Sequence, residues 1–519
     1  MSDARGDLKK PIRFDAYWHL QAIGLLKPSD GGLPKPPTQK RADSDILVTV
    51  AATYKGLVAI IDTGVSLHPY LTGRLEPNSG QTAGVGKSPS DQQYGYDLTA
   101  APSLLVDDGE RAKIRETELS DEWLKEWLVF PESGDKEPWQ EAVIEIVTEN
   151  IGRAAFNAGA PAASNQKFSA HGTSCAGLVA ASSSHFVPSE DSGKSSPDDL
   201  PYYRGVDPDS NVLSVTTSFS PRPDLLILAF LLAASKGADV ILFPRGLPRE
   251  ILFEPDQFYI ENAGRLRGEE LRLAREQKVL PWKALKQTIL AVSQKIPVVC
   301  AAGNESESSP IAPACFAAPD NGIIAVAAMN YYGSRSSYSN YGEGITIAAP
   351  SDDAEIFNRD QARLDKTDRF FVDHPYQFYV NKKLAISEVP FAKAGIRAID
   401  VPGPFGFSDT SSNGDAGLFT EPESFFTEFG GTSAAAAIVA GVAVLMQRKA
   451  KSKGERKTGP EIRKLLCDTA RIRDFPHLKN IVGLPVLGED WVDGIPLSFK
   501  QKFGAGLVAA DEAVKAVLP

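Results

Sequence analysis

Four short runs along the chain are apolar almost without interruption: GLVAIID (56–62), ADVILF (238–243), IPVVCAAG (296–303) and GIIAVAA (322–328). Their β-branched content and short length predict strands. Because polar and apolar positions do not alternate within them, both faces should be covered, as in a parallel sheet. Helical patterns lie between them. DLLILAFLLAASKG (224–237) opens on an acid, closes on a glycine and leads into ADVILF, and WKALKQTILAVSQK (282–295) leads into IPVVCAAG in the same way. Strands alternating with helices predict an α/β fold: a three-layer sandwich with a mostly parallel central sheet flanked by helices.

Two stretches break this rhythm and read as large insertions. The first, about 77–165, carries charged, Trp-bearing helical segments such as SDEWLKEWLVF and EPWQEAVIEIVTENIG. The second, about 351–424, mixes aromatics (FFVDHPYQFYV) with a Gly/Ser/Asp-rich stretch (GFSDTSSNGDAG). KPSDGGLPKPPTQKRADSD near the N-terminus is a loop by composition. No repeat of fixed period is present.

Composition narrows the class. The net charge of −11 over 519 residues argues against nucleic-acid binding, which needs basic surface. Four cysteines, Cys175, Cys300, Cys315 and Cys467, are too few and too scattered for a disulfide framework, and no CxxC pair suggests zinc. The N-terminal MSDARGDLKKPIRFD lacks the apolar core of a signal peptide, and the apolar run 434–446 is short for a bilayer span. A cytoplasmic protein without a membrane segment is the expectation.

Four polar residues stand at the ends of apolar elements. Asp62 closes the strand GLVAIID, where a parallel sheet places functional groups. His171, one of six histidines, opens the small-residue helix HGTSCAGLVAA. Asn304 follows the strand IPVVCAAG. Ser433, behind Gly430, Gly431 and Thr432, enters the helix AAAAIVAGVAVLM, whose N-terminal N–H groups would favour a developing oxyanion. Alone, each has a plainer explanation: a turn aspartate, a histidine that begins a helix, a turn asparagine, an N-cap serine. The Asp-Thr-Gly at 62–64 also invites an aspartic-protease reading. The only partner for it, Asp409, follows no apolar strand, and the α/β rhythm disagrees with that all-β class.

Taken together and in this order, IIDTGV, HGTSCAGLVA, AAGNE and GTSAAAAIVAG resemble the aspartate, histidine, oxyanion-asparagine and serine motifs of the subtilisin-like serine proteases. WHLQAIG (18–24), GVDPDSNVLSV, SSYSNYGEGITIAAP (336–350) and KFGAGLVAADEAV are weaker matches along the same chain. The resemblance implies a subtilisin-like catalytic domain over 18–519, interrupted by the two insertions and preceded by an extension, 1–17. It implies a serine endopeptidase in which Ser433 attacks, His171 moves the proton, Asp62 orients His171, and Asn304 with the Ser433 N–H holds the oxyanion. Arg245, Gly246, Leu247 and Gly303 would line the substrate.

The sequence departs from the family pattern in places. Ala437 replaces the proline usual after the serine motif, and the substrate segment reads PRGLP (244–248), with Arg245 and Leu247 unusual. The resemblance implies a polypeptide substrate and no cofactor for the chemistry, and leaves structural calcium open. The acidic stretch 189–199 has the charge for that ion but no recognisable ligand spacing. With little chain before Trp18 for an inhibitory propeptide, restraint by the insertions or a regulatory protein partner is expected. A catalytically silent regulatory or binding protein on the same scaffold is the alternative.

Overall fold

The computed structural model describes residues 17–27, 46–77, 94–99, 119–128, 136–156, 169–185, 203–218, 221–247, 269–353, 395–401, 406–407, 425–472, 491–492 and 495–517. The strands are β1 (Leu57–Asp62), β2 (Tyr96–Asp97), β3 (Asn211–Thr216), β4 (Val240–Phe243), β5 (Val298–Ala301), β6 (Ile323–Met329), β7 (Ile347–Pro350), β8 (Ile396–Ile399) and β9 (Phe426–Phe429). The helices are α1 (Trp18–Ala22), α2 (Asp121–Leu128), α3 (Pro138–Phe156), α4 (Ser169–Ala180), α5 (Pro223–Ser235), α6 (Glu269–Lys295), α7 (Gly431–Lys451), α8 (Gly459–Thr469), α9 (Phe499–Phe503) and α10 (Ala510–Ala516).

Seven strands form one parallel sheet in the order β2-β3-β1-β4-β5-β6-β7. All four runs picked out by their continuous apolarity are central or near-central strands, and the reason is visible in β1. Val58 and Ile60 face one core, while Ala59 and Ile61 face the other. One face is covered by α4 and α7, the other by α5 and α6. β1 lies between β3 and β4, so the sheet order reverses there and the strand ends open a crevice. Asp62 is the last residue of β1.

The described parts of 77–165 (77, 94–99, 119–128 and 136–156) join this architecture. They supply the edge strand β2, while α3 packs on α5 and α6. Their Val143, Val147 and Ile151 are fully buried in the second core. β8, in the second inserted segment, pairs antiparallel with β9 just beyond it, Ile396 opposite Phe429 and Ile399 opposite Phe426. The aromatic cluster 370–379 and the acidic stretch 189–199 lie outside the described residues. α6 begins well before the helix read at Trp282 and runs through Pro281. The Glu-, Leu- and Arg-rich stretch ahead of it propagates helix strongly enough to carry one proline.

α7 is, by length and composition, the one described helix that could cross a membrane, and its apolar window is buried inside the fold. It outruns the apolar stretch 434–446 because Gln447 and Arg448, both buried, continue it. Arg448 donates to Asp207, to Asp209 Oδ2 at 3.2 Å and to the carbonyls of Tyr54 (2.6 Å), Ala51 (3.0 Å) and Val50 (3.3 Å).

Candidate active site

Asp62 is 1% exposed, and its Oδ2 lies 2.6 Å from His171 Nδ1. Its Oδ1 accepts the Thr63 N–H at 2.6 Å. Burial pushes this carboxyl up. The charge and hydrogen bond of His171, the Arg245 charge and the Thr63 N–H outweigh that and hold it below the ordinary aspartate value. Asp62 is therefore an anion at neutral pH.

His171 is the third residue of α4, and its side chain is 28% exposed. Three contacts seat the start of this helix. Thr173 Oγ1 accepts the Ser66 N–H at 2.9 Å, Ser174 Oγ donates to the Ile399 carbonyl at 2.8 Å, and Gly172 packs so closely that a Cβ there would lie 2.1 Å from the Gly64 carbonyl oxygen. The Phe429 ring meets the imidazole edge-on at 5.4 Å. One turn along, Cys175 brings its sulfur, with Asp62 and His171, into a group whose donor atoms lie within 4.8 Å of one another. Burial and the Asp62 charge push its thiol well up, so it stays neutral. Sulfur and nitrogen donors do not suit calcium, which takes oxygen ligands. No other such cluster occurs among the described residues.

Ser433 is the third residue of α7, which packs against α4. The glycines before it are explained by contact and backbone. A Cβ on Gly430 would lie 1.9 Å from Asp352 Oδ1, and Gly431 holds a φ of +76°. Tyr338 Oη and Asp352 Oδ1 accept the Gly431 N–H at 3.0 and 3.3 Å. The N-cap is Gly430 with no side-chain cap, so neither Thr432 nor Ser433 serves that role. Instead, Thr432 Oγ1 accepts from the Gly303 N–H at 3.1 Å and donates to Asn304 Oδ1 at 2.9 Å. Ser433 Oγ donates to the Pro244 carbonyl at 2.9 Å and, among the described residues, not to His171.

Asn304 Oδ1 also accepts the Thr432 N–H at 2.8 Å, so Oδ1 takes two hydrogen bonds from Thr432. Asn340 secures the turn: its Oδ1 accepts the N–H groups of Glu305 (3.0 Å) and Glu307 (2.9 Å), and its Nδ2 donates to the Ala302 carbonyl (3.1 Å). The Ser433 N–H lies in the first turn of α7, where helical donors lack intrahelical partners.

The four residues assigned to the substrate cleft differ in their surroundings. Arg245 donates to Thr217 Oγ1 at 3.0 Å and to the Ser218 carbonyl at 2.8 Å. Gly246 lies against Ile311, where a Cβ would sit 1.7 Å from Cδ1. Leu247 is 4% exposed, its side chain in the second core and its N–H on the Ala312 carbonyl. Gly303 has a φ of +112° and donates to Thr432.

The sequence reading missed several neighbours: Cys175, Thr217, Tyr338, Asp352 and the Pro244 carbonyl. His19 and His68 are also buried, at 1% and 4% exposure. His68 Nδ1 accepts the Tyr70 N–H, and its ring meets Phe425.

The subtilase (peptidase S8) family model matches residues 55–485. The chain belongs to the subtilase family. Solved structures with a similar fold include fervidolysin from Fervidobacterium pennivorans, described as a keratinolytic enzyme related to subtilisin. It is 18% identical, with a TM-score of 0.46, and the match covers 100% of this chain and 48% of that one. This subtilase thus spans about half the length of fervidolysin. A protease from Pseudoalteromonas arctica is also 18% identical (TM-score 0.44, 98% of each chain). The epidermin leader peptide processing serine protease of Staphylococcus aureus is 14% identical (TM-score 0.44, 90% of this chain and 76% of that one). No curated protein matches the sequence.

Proposed function

We propose that this subtilase is a serine endopeptidase. The observation that carries the reading is the buried 2.6 Å contact between Asp62 Oδ2 and His171 Nδ1. With Nδ1–H donating to Asp62, the imidazole keeps Nε2 as an acceptor at the mouth of the crevice. Ser433 Oγ leaves the Pro244 carbonyl by rotating about χ1, gives its proton to Nε2 and attacks the peptide carbonyl carbon. Asn304 Nδ2 and the Ser433 N–H receive the carbonyl oxygen as it becomes an anion, aided by the positive end of α7. Asp62 stabilises the imidazolium, which passes its proton to the leaving amine. Water then attacks the acyl-enzyme by the same route.

The resting bond between Ser433 and Pro244 is the observation on the side of a silent scaffold. Turnover decides between the two. The wild-type protein should cut an unfolded polypeptide, and Ser433→Ala should cut it at least ~10³-fold more slowly. A folded wild-type protein that leaves unfolded polypeptide intact, yet hydrolyses simple esters, would make it an esterase. One that does neither would make it a silent scaffold.

A further inference from the structure

We infer that Arg245 is a positioning residue that ties the nucleophile side of the cleft to the Asp62–His171 pair across the end of β1. The inference rests on the serine-hydrolase reading above. It gives this side chain a different task from lining the substrate.

The sheet order supplies the geometry. β1 lies between β3 and β4, and Arg245 follows β4 by two residues. Its guanidinium donates to Thr217 Oγ1 and to the Ser218 carbonyl, both just past the end of β3. The side chain therefore bridges the two strands that flank Asp62. Each anchor leads into the site. The residue before Arg245 is Pro244, whose carbonyl accepts from Ser433 Oγ. Thr217 in turn donates its N–H to the Asp62 carbonyl at 2.7 Å, with its Oγ1 3.4 Å from the same oxygen. A planar fork can hold two acceptors in fixed directions, which a lysine ammonium cannot do.

The charge has a second consequence. Arg245 acts on the Asp62 carboxylate and favours its ionised form. The other titratable group against the pair is Cys175 on α4, which is neutral. The end of β3 contributes Thr216, the residue after it Thr217, and β9 contributes Phe429, none of them charged. Removing Arg245 should therefore let the Asp62–His171 pair bind its proton more readily.

The test is the rate of inactivation by a small fluorophosphonate, which needs the triad but fills few substrate subsites. It is measured from roughly pH 5 to 9, the range that spans histidine titration, for wild type, R245M and R245K, with circular dichroism to establish folding. The expected result for R245M is a plateau rate lower by ~10-fold or more, with an acid limb displaced to higher pH. R245K restores the acid limb, because the charge returns, and recovers the plateau only in part. If R245M does not fold, R245K decides: a lowered plateau with a wild-type acid limb supports the inference, and a wild-type plateau overturns it. For folded R245M, a wild-type plateau, with loss confined to KM on an unfolded polypeptide, makes Arg245 a substrate contact and overturns the inference. A lower plateau with an unmoved acid limb marks a merely structural role and also overturns it. Failure of wild-type protein to react, or equal reaction by S433A, would instead remove the serine-hydrolase reading itself.

Discussion

The Asp62 carboxyl carries two opposed effects. Burial alone would keep it protonated, and a neutral acid could not stabilise an imidazolium. The His171 charge and hydrogen bond, the Arg245 charge and the Thr63 N–H reverse that outcome. Asn304 carries a similar division of labour in one side chain. Its oxygen is spent on Thr432, so in the proposed mechanism its nitrogen is the atom left to donate to the oxyanion. Asn304→Ala should therefore lower kcat by ~10²-fold, about 3 kcal/mol of transition-state stabilisation, with little change in KM. Steady-state kinetics on a peptide ester checks this; a change confined to KM would place Asn304 in substrate binding instead. The four polar residues at apolar element ends were legible in the sequence because each sits where a strand or helix pattern stops. Gly430 and Gly431 were legible as permissive positions, but not Asp352, which fills the space beside Gly430. That carboxylate comes from the end of β7, and nothing local in its sequence points to the helix it meets.

Among the elements, α7 links the proposed nucleophile to the stability of the fold. Its first turn holds Ser433, and four turns later Arg448 ends in a pocket closed by Asp207, Asp209 and the carbonyls of Val50, Ala51 and Tyr54. Arg448 and Asp207 are 1% and 2% exposed, so neither charge has water to fall back on. Arg448→Met should destabilise the fold by about 3–5 kcal/mol, mostly because Asp207 is left buried and unpaired. Chemical denaturation reads this as a lower midpoint, and adding Asp207→Asn should recover part of the loss. A single-variant midpoint within error of wild type would contradict the account. The central strands were legible from continuous apolarity, because the two faces of each strand enter two different cores. The edge strand β2 was not: two residues offer no period, and its pairing with β3 is set by the sheet. The integration of 77–165 into the second core was hidden for a similar reason. Its charged exposed positions dominate the pattern, and its buried ones are spaced for contact with distant helices.

For the molecule as a whole, buried titrating groups set the dependence of stability on pH. Burial pushes His19 and His68 down to about 3 and His185 down to about 4. In the unfolded chain each would titrate near 6.5. Between about pH 6.5 and 4 the unfolded state therefore binds more protons at these sites, and stability falls on acidification by up to about 1.4 kcal/mol per pH unit per histidine. Asp62, held low in the fold, adds to the loss at the acid end. Asp353, pushed up by burial to about 7, and Asp207, Glu305 and Glu428, pushed up in the same way, act oppositely: they hold protons in the fold where the unfolded chain does not. The contribution of the three histidines is expected to prevail, so the unfolding midpoint should drop from about pH 6.5 towards pH 4. Thermal melts across that range test this, and a midpoint that rises on acidification would refute the burial of these rings.

The account turns on Ser433 as a nucleophile served by the Asp62–His171 pair, and covalent labelling addresses that most directly. The protein is treated with a fluorophosphonate, weighed intact, then digested and mapped by mass spectrometry. The predicted result is one adduct per chain, on Ser433, absent from Ser433→Ala and formed far more slowly in Asp62→Asn, whose amide would hold His171 in the wrong tautomer. No adduct on the folded wild-type protein, or an equal adduct on folded Ser433→Ala, would contradict it.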